Sequence, residues 1–201
     1  MTPTPAPDLT LRRILKDRRG QTLAEVGIVL PFLIFLAVGT LQFGWGLYQA
    51  HVVRKVAREG ANMISRQVTL GDTETAIQGM PVFPGGTFDA NAKLILSVLQ
   101  QGTGTNAGYT VITQRHSVGS FSGTSILGNP GSGSYGAGPT YIAVNPATDT
   151  AIRVSTLPNG LNVAAGQTVF VAELYTRRSN LASMSFWGIS FPASLYASSF
   201  F

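Results

Sequence analysis

Residues 26–48 read VGIVLPFLIFLAVGTLQFGWGLY, a run without charge in which Thr40 and Gln42 are the markedly polar side chains. At about 1.5 Å per residue a helix of this length crosses the roughly 30 Å hydrocarbon core of a bilayer. Trp45 and Tyr48 stand near its far end, where an interfacial aromatic belt belongs. A cleaved secretory signal has an apolar core of only about 7–15 residues and a small-x-small exit, and the run matches neither feature. A chain of 201 residues is also too small to surround so long an uncharged helix with its own core. The expectation is a single membrane-spanning helix.

The charges outside this run fit the same picture. The formal net charge of +5 lies within residues 1–66, where Arg12, Arg13, Lys16, Arg18, Arg19, Arg54, Lys55, Arg58 and Arg66 outnumber Asp8, Asp17, Glu25 and Glu59; the remainder is neutral. Excess charge that brackets an apolar segment, with none on the folded body, argues against a nucleic-acid-binding domain. Basic residues flank both ends of the span, so the positive-inside rule only weakly favours a cytoplasmic N-terminus. The uncharged, Gly-, Ser-, Thr- and Asn-rich body, suited to export, tips the orientation the same way.

Beyond Tyr48, Val52, Val53, Val56, Ala57, Gly60, Ala61, Met63 and Ile64 recur at three- and four-residue spacing, with Arg54, Lys55, Arg58 and Arg66 mainly on other faces. One helix over residues 22–67 follows, about 70 Å long, with its second half packing an apolar stripe outside the membrane. Pro31 removes one N–H and clashes with the carbonyl of Gly27, which predicts a kink or local melting across residues 27–31.

Residues 93–100 (KLILSVLQ) and 109–114 (YTVITQ) are β-prone and flank a turn-rich QGTGTNAG, as in an antiparallel hairpin. Residues 72–78 suggest a short helical turn. Later strands are predicted at 151–155 and, half-buried, at 167–175. Residues 117–138 form a Gly/Ser-rich stretch read as an exposed excursion, with Phe121, Ile126 and Leu127 available to hold it down. Residues 179–201 make an aromatic tail suited to packing on the sheet or the bilayer. The fold class is α+β: a long N-terminal transmembrane and amphipathic helix followed by a small antiparallel β-rich domain.

Catalytic chemistry has little to draw on. Cys is absent, the two histidines His51 and His116 have no metal-site spacing, and no phosphate-binding glycine motif is present. Asp72 and Glu74, the only acids after residue 70 that are close in sequence, are expected to sit on a turn near no histidine, so no acid–base pair can be nominated. The expectation is a nonenzymatic protein with no cofactor and no metal.

Residues 18–31, RRGQTLAEVGIVLP, carry the most specific signal. Basic residues end at Gly20, and Glu25 then stands as the one charge at the lip of the apolar helix. Two readings of Glu25 are open. An acid at the membrane is costly enough to be a functional candidate, and an acid in a first helical turn also complements the helix dipole.

Gly20 followed five residues later by Glu25 and an apolar helix matches the processing signature of type IV prepilins. Residues 18–44 resemble the TadE-like pseudopilins of the tight adherence secretion system, and LILSVLQQG, TVITQ and LPNGLNVAAGQTVFVAELYTRR resemble that family's paired strands and its late strand with an embedded acid. Val26 departs from the Phe or Tyr common after the acid. The resemblance implies a leader over residues 1–20, cleaved by a prepilin peptidase between Gly20 and Gln21. A helical segment over 21–70 and an exported domain over 71–178 follow it. It also implies assembly through Glu25 and partners in the major pilin, a second minor pseudopilin and inner-membrane platform proteins. The implied location is the bacterial inner membrane, with the C-terminal domain periplasmic or carried to the surface in a pilus. The alternative reading is a single-pass, membrane-anchored envelope binding or sensory module outside any pilus.

Overall fold

The computed structural model describes residues 18–80, 88–128, 133–155, 157–179 and 192–201. The chain forms two units, Met1–Trp45 and Gly46–Phe201. The expected leader lies largely outside the described residues, as does the first part of the aromatic tail.

Helix α1 runs over Arg18–Ser65 and passes through Pro31 without a break, so the expected local melting does not occur. One proline deletes a single N–H from a ladder that many further turns sustain. Thr40 returns its hydroxyl to the Leu36 carbonyl at 2.8 Å, which satisfies a polar group inside the apolar run. The helix ends two residues before the expected position because Gln67 enters the left-handed region at φ 67°. There Val68 N–H bonds the Met63 carbonyl at 3.2 Å and Gln67 N–H bonds Ile64 at 3.0 Å, the paired bonds of a Schellman cap.

The segment expected to be a turn at 72–78 is a full helix, α2, over Leu70–Gln78. Thr69 starts it by accepting the Asp72 N–H at 3.1 Å, and buried Leu70, Thr73 and Ile77 turn one side inward. A short α3 (Phe88–Asn91) leads into β1 (Ala92–Gln101), followed by β2 (Thr110–Val118), β3 (Thr168–Arg177) and β4 (Ser194–Phe200). They form one antiparallel sheet in the order β2-β1-β3-β4. The predicted hairpin is β1–β2, with β2 running past Gln114 to Val118.

Alternation along β1 and β3 sends Leu94, Leu96, Val98, Ala172 and Leu174 to one face, where they form a core with Val53, Val56, Ala57, Ala61 and Ile64 of α1 and Leu70 and Ile77 of α2. Close approach depends on Gly60, where a Cβ would lie 2.9 Å from Ile77 Cδ1 and 3.3 Å from Ala172 Cβ. The opposite face carries Leu99 and Val171, covered by Leu127 and Val163 from the long connection between β2 and β3. With both faces covered, β3 is buried through its middle and is not the half-exposed strand its alternation suggested.

Three further expectations are corrected. Residues 151–155 are not a strand: Asp149 accepts the Ala151 N–H at 2.9 Å and winds Thr150–Ile152 into a 3₁₀ turn. Arg153 then makes an isolated bridge to Val111. Its Nε donates to Asn106 Oδ1 at 2.8 Å, and its guanidinium lies 3.9 Å from the Tyr109 ring centre. The Gly/Ser-rich stretch is not simply an exposed excursion, since Ser117 and Val118 belong to β2 and both Ser125 and Leu127 are buried. The tail, finally, supplies β4, which pairs with β3 from Val171↔Phe200 to Arg177↔Ser194.

Candidate functional site

Gly20 and Gln21 lie within the first turns of α1, and Glu25 is exposed on it. Glu25 heads a shallow groove on the helix surface lined by Val26, Val29, Leu30 and Leu33, residues whose spacing keeps them on one side. The apolar residues that follow point outward on every side. Between residues 26 and 48 the large apolar side chains other than Val38 and Trp45 range from 42% exposed at Phe35 to 77% at Ile28. Burying one such side chain is worth about 1.5–3 kcal/mol, so a helix apolar all round requires lipid or other helices around it. By length and composition this is the one described helix able to cross a membrane. A Cβ placed at Gly27 meets nothing within 4 Å; contacts within the chain do not explain that glycine.

The acid embedded in the late strand is Glu173, fully buried in β3. Its carboxylate accepts the Ile126 N–H at 2.7 Å, the Tyr196 hydroxyl at 3.1 Å and the Ser125 hydroxyl. Three donors from two directions satisfy the charge, as a buried carboxylate requires. They also fasten the Gly/Ser-rich connection and β4 to the centre of the sheet. Alongside, Tyr175 donates to the Thr124 carbonyl. The phenols of Tyr175 and Tyr196 are both pushed above their ordinary range, first by burial and then by the negative charge of Glu173.

Arg115 lies on the same covered face, opposite Ser97 in the β1–β2 register. Burial lowers its pKa, opposed by the acidic groups of Tyr135 and Glu173. Tyr135 is raised to about 12, again by burial first. These polar side chains act on packing and charge balance under the connection. None of them opens a cleft with a nucleophile.

One pairing contradicts the sequence reading. Glu74, which has no histidine near it in sequence, meets His116 of β2 with Oε2 2.5 Å from Nε2. His116 stacks on Tyr141 at 3.9 Å between ring centres. The trio fixes α2 against the sheet edge. Asp72 is occupied at the start of α2, accepting the Thr69 hydroxyl at 2.7 Å. Among the described residues no group of three or more His, Asp or Glu side chains could hold a metal ion.

Residues 20–62 match the family model described as TadE-like protein. The match begins at Gly20, includes Glu25 and the entire exposed apolar run, and ends on α1 with the residues that pack against the sheet. The strands lie outside it. No curated protein and no solved structure matches the chain.

Proposed function

We propose that this chain is a minor pseudopilin that takes part in assembling a tight adherence pilus for surface attachment, as a structural and nonenzymatic component. The observation that carries the reading is the coincidence of the TadE-like match with a helix whose apolar side chains are exposed all round and headed by Glu25. In this reading residues 1–20 are a cytoplasmic leader, α1 crosses the inner membrane once, and the β-rich domain lies in the periplasm. A prepilin peptidase cuts between Gly20 and Gln21. The scissile bond falls within the first turns of α1, so cleavage requires local opening there, and glycine, about 1 kcal/mol less favourable than Ala in a helix, eases it. Gly27 and Pro31 are the positions at which the span bends when it packs among other subunits.

Cleavage leaves a charged α-amine on Gln21, one helical turn from Glu25. Neither charge is stable alone where the dielectric falls. Pairing the amine of one subunit with Glu25 of its neighbour offsets that cost only in the correct register, so an unpaired charge selects against misassembly. The partners are then the major pilin, a second minor pseudopilin and the inner-membrane platform proteins. The test is Glu25→Gln at the native locus. Cleavage and membrane insertion should persist while surface pili and adherence are lost. Normal adherence of that strain, or full function of a chain whose Gln21 is entirely cyclised to pyroglutamate, would refute the pairing and leave Glu25 without an assembly role.

A further inference from the structure

The apolar run of α1 ends at Tyr48, and the helix next presents His51, Arg54, Lys55 and Arg58, all exposed. Their spacing of three and four residues places them on one side of the helix, and they line a common groove there. Along the axis His51 lies about 4.5 Å beyond Tyr48, Arg54 about 9 Å and Lys55 about 10.5 Å. A bilayer whose core is about 30 Å thick carries roughly 5–8 Å of headgroup on each side. The long side chains of Arg54 and Lys55 therefore reach lipid phosphates when residues 26–48 span the core.

A second element delivers cations to the end of the apolar run itself, about 12 Å nearer the bilayer centre along the helix axis than Arg54. At the end of β3 the Arg178 guanidinium lies directly against the backbone of Gly46, where a Cβ would sit 2.1 Å from Nη2. Gln49 Nε2 donates to the Ser179 carbonyl at 2.9 Å and holds this strand end at the last turn of the apolar run. Arg177, the final residue of β3, is exposed. The close approach requires glycine at position 46, since any side chain there would displace the guanidinium.

We propose that Arg54, Lys55, Arg177 and Arg178 form a collar that binds the phosphates of anionic phospholipids in the leaflet next to residue 48. Bound lipid fixes the β-rich domain against the membrane surface. The proposal rests on residues 26–48 being the membrane span and is independent of the pilus reading. Zwitterionic lipids carry the same phosphate beside a compensating amine, so the collar's net positive charge selects lipids that lack it.

The test places the full chain in nanodiscs containing equal phosphatidylglycerol and phosphatidylcholine and measures by native mass spectrometry which lipid the released protein retains. Wild type should retain mainly phosphatidylglycerol. Arg54→Gln with Lys55→Gln, two exposed positions whose change leaves the core intact, should lower that preference by about fivefold per cation removed. Arg66→Gln, about 27 Å beyond Tyr48, should leave it unchanged, as should excess inorganic phosphate. Equal retention of both lipids by wild type, or an undiminished preference in the double variant, overturns the collar. Displacement by inorganic phosphate overturns the lipid assignment in favour of the free anion. A chain that fails to enter the nanodisc overturns the collar together with the span, while the Glu25→Gln adherence result stands apart from all of these.

Discussion

Replacing Glu173 with Gln and with Ala separates two ways in which a buried acid can matter to this fold. The carboxylate holds Ile126 N–H and the Tyr196 hydroxyl on one oxygen and the Ser125 hydroxyl on the other. In Glu173→Gln the amide oxygen keeps the first two donors, and the Ser125 hydroxyl rotates to accept from the new NH₂. What is lost is charge assistance, so the cost is about 1–2 kcal/mol. Glu173→Ala strands all three donors beneath a buried connection and leaves a cavity, for about 3–5 kcal/mol. At roughly 2–4 °C per kcal/mol for a unit of this size, the melting temperature falls by about 2–8 °C for Gln and about 6–20 °C for Ala. Calorimetry of the full chain in nanodiscs measures both, and hydrogen exchange locates the damage. Ile126 and the β4 amides should exchange faster in the Ala variant, while those of α2 hold. An Ala variant that melts within 2 °C of wild type, or a Gln variant as damaged as Ala, refutes the reasoning.

Further outcomes follow from other contacts. Gly60→Leu should destabilise the β-rich unit by about 1–3 kcal/mol through overpacking against Ile77 and Ala172, whereas in Gly60→Ala the helix-propensity gain largely offsets the tighter contact; thermal unfolding checks both. Tyr135 has a folded-state pKa of about 12 against an ordinary 10, so its contribution is complete below pH 10 and is lost as pH rises through 12. The alkaline fall in melting temperature over that window should be smaller in Tyr135→Phe. Thr69→Ala should cost about 1 kcal/mol by removing the cap of α2, read from denaturant midpoints. A periplasm-active phosphatase fused after Ser155 should be active in cells, and activity of a cytoplasmic reporter there instead would overturn the orientation.

How far the sequence foretold the molecule depended on how local each determinant is. The apolar run of α1, its amphipathic continuation and the β1–β2 hairpin were legible because repeated side-chain periodicity encodes them. β4 was not: SLYASSF is short, with serine at three of its seven positions, and it becomes a strand because the edge of β3 offers it unpaired backbone groups. The opposite error at residues 151–155 has the same origin, since β-prone residues there are drawn into a turn by Asp149 and into side-chain contacts by Arg153. Composition concealed the part of the Gly/Ser-rich connection that matters, because Ser125 and Leu127 are needed by Glu173 and Leu99 on distant strands. The Glu74–His116 pair joins residues 42 apart, a separation across which no motif is recognisable. At the candidate site, the roles of Gly20, Gln21 and Glu25 rest on a local sequence pattern and stand as proposals, whereas Arg178 could be set at the level of Gly46 only by the fold.

The central claim, that α1 is a prepilin-type segment handed from the membrane to a pilus, is tested most directly by the N-terminus of the protein in cells. Intact-mass measurement of membrane-extracted chain, with the peptidase present, should find a mature species beginning at Gln21 and none retaining Met1, and Gly20→Val should block its formation. A full-length species persisting in wild-type cells, or normal processing of Gly20→Val, would contradict the account.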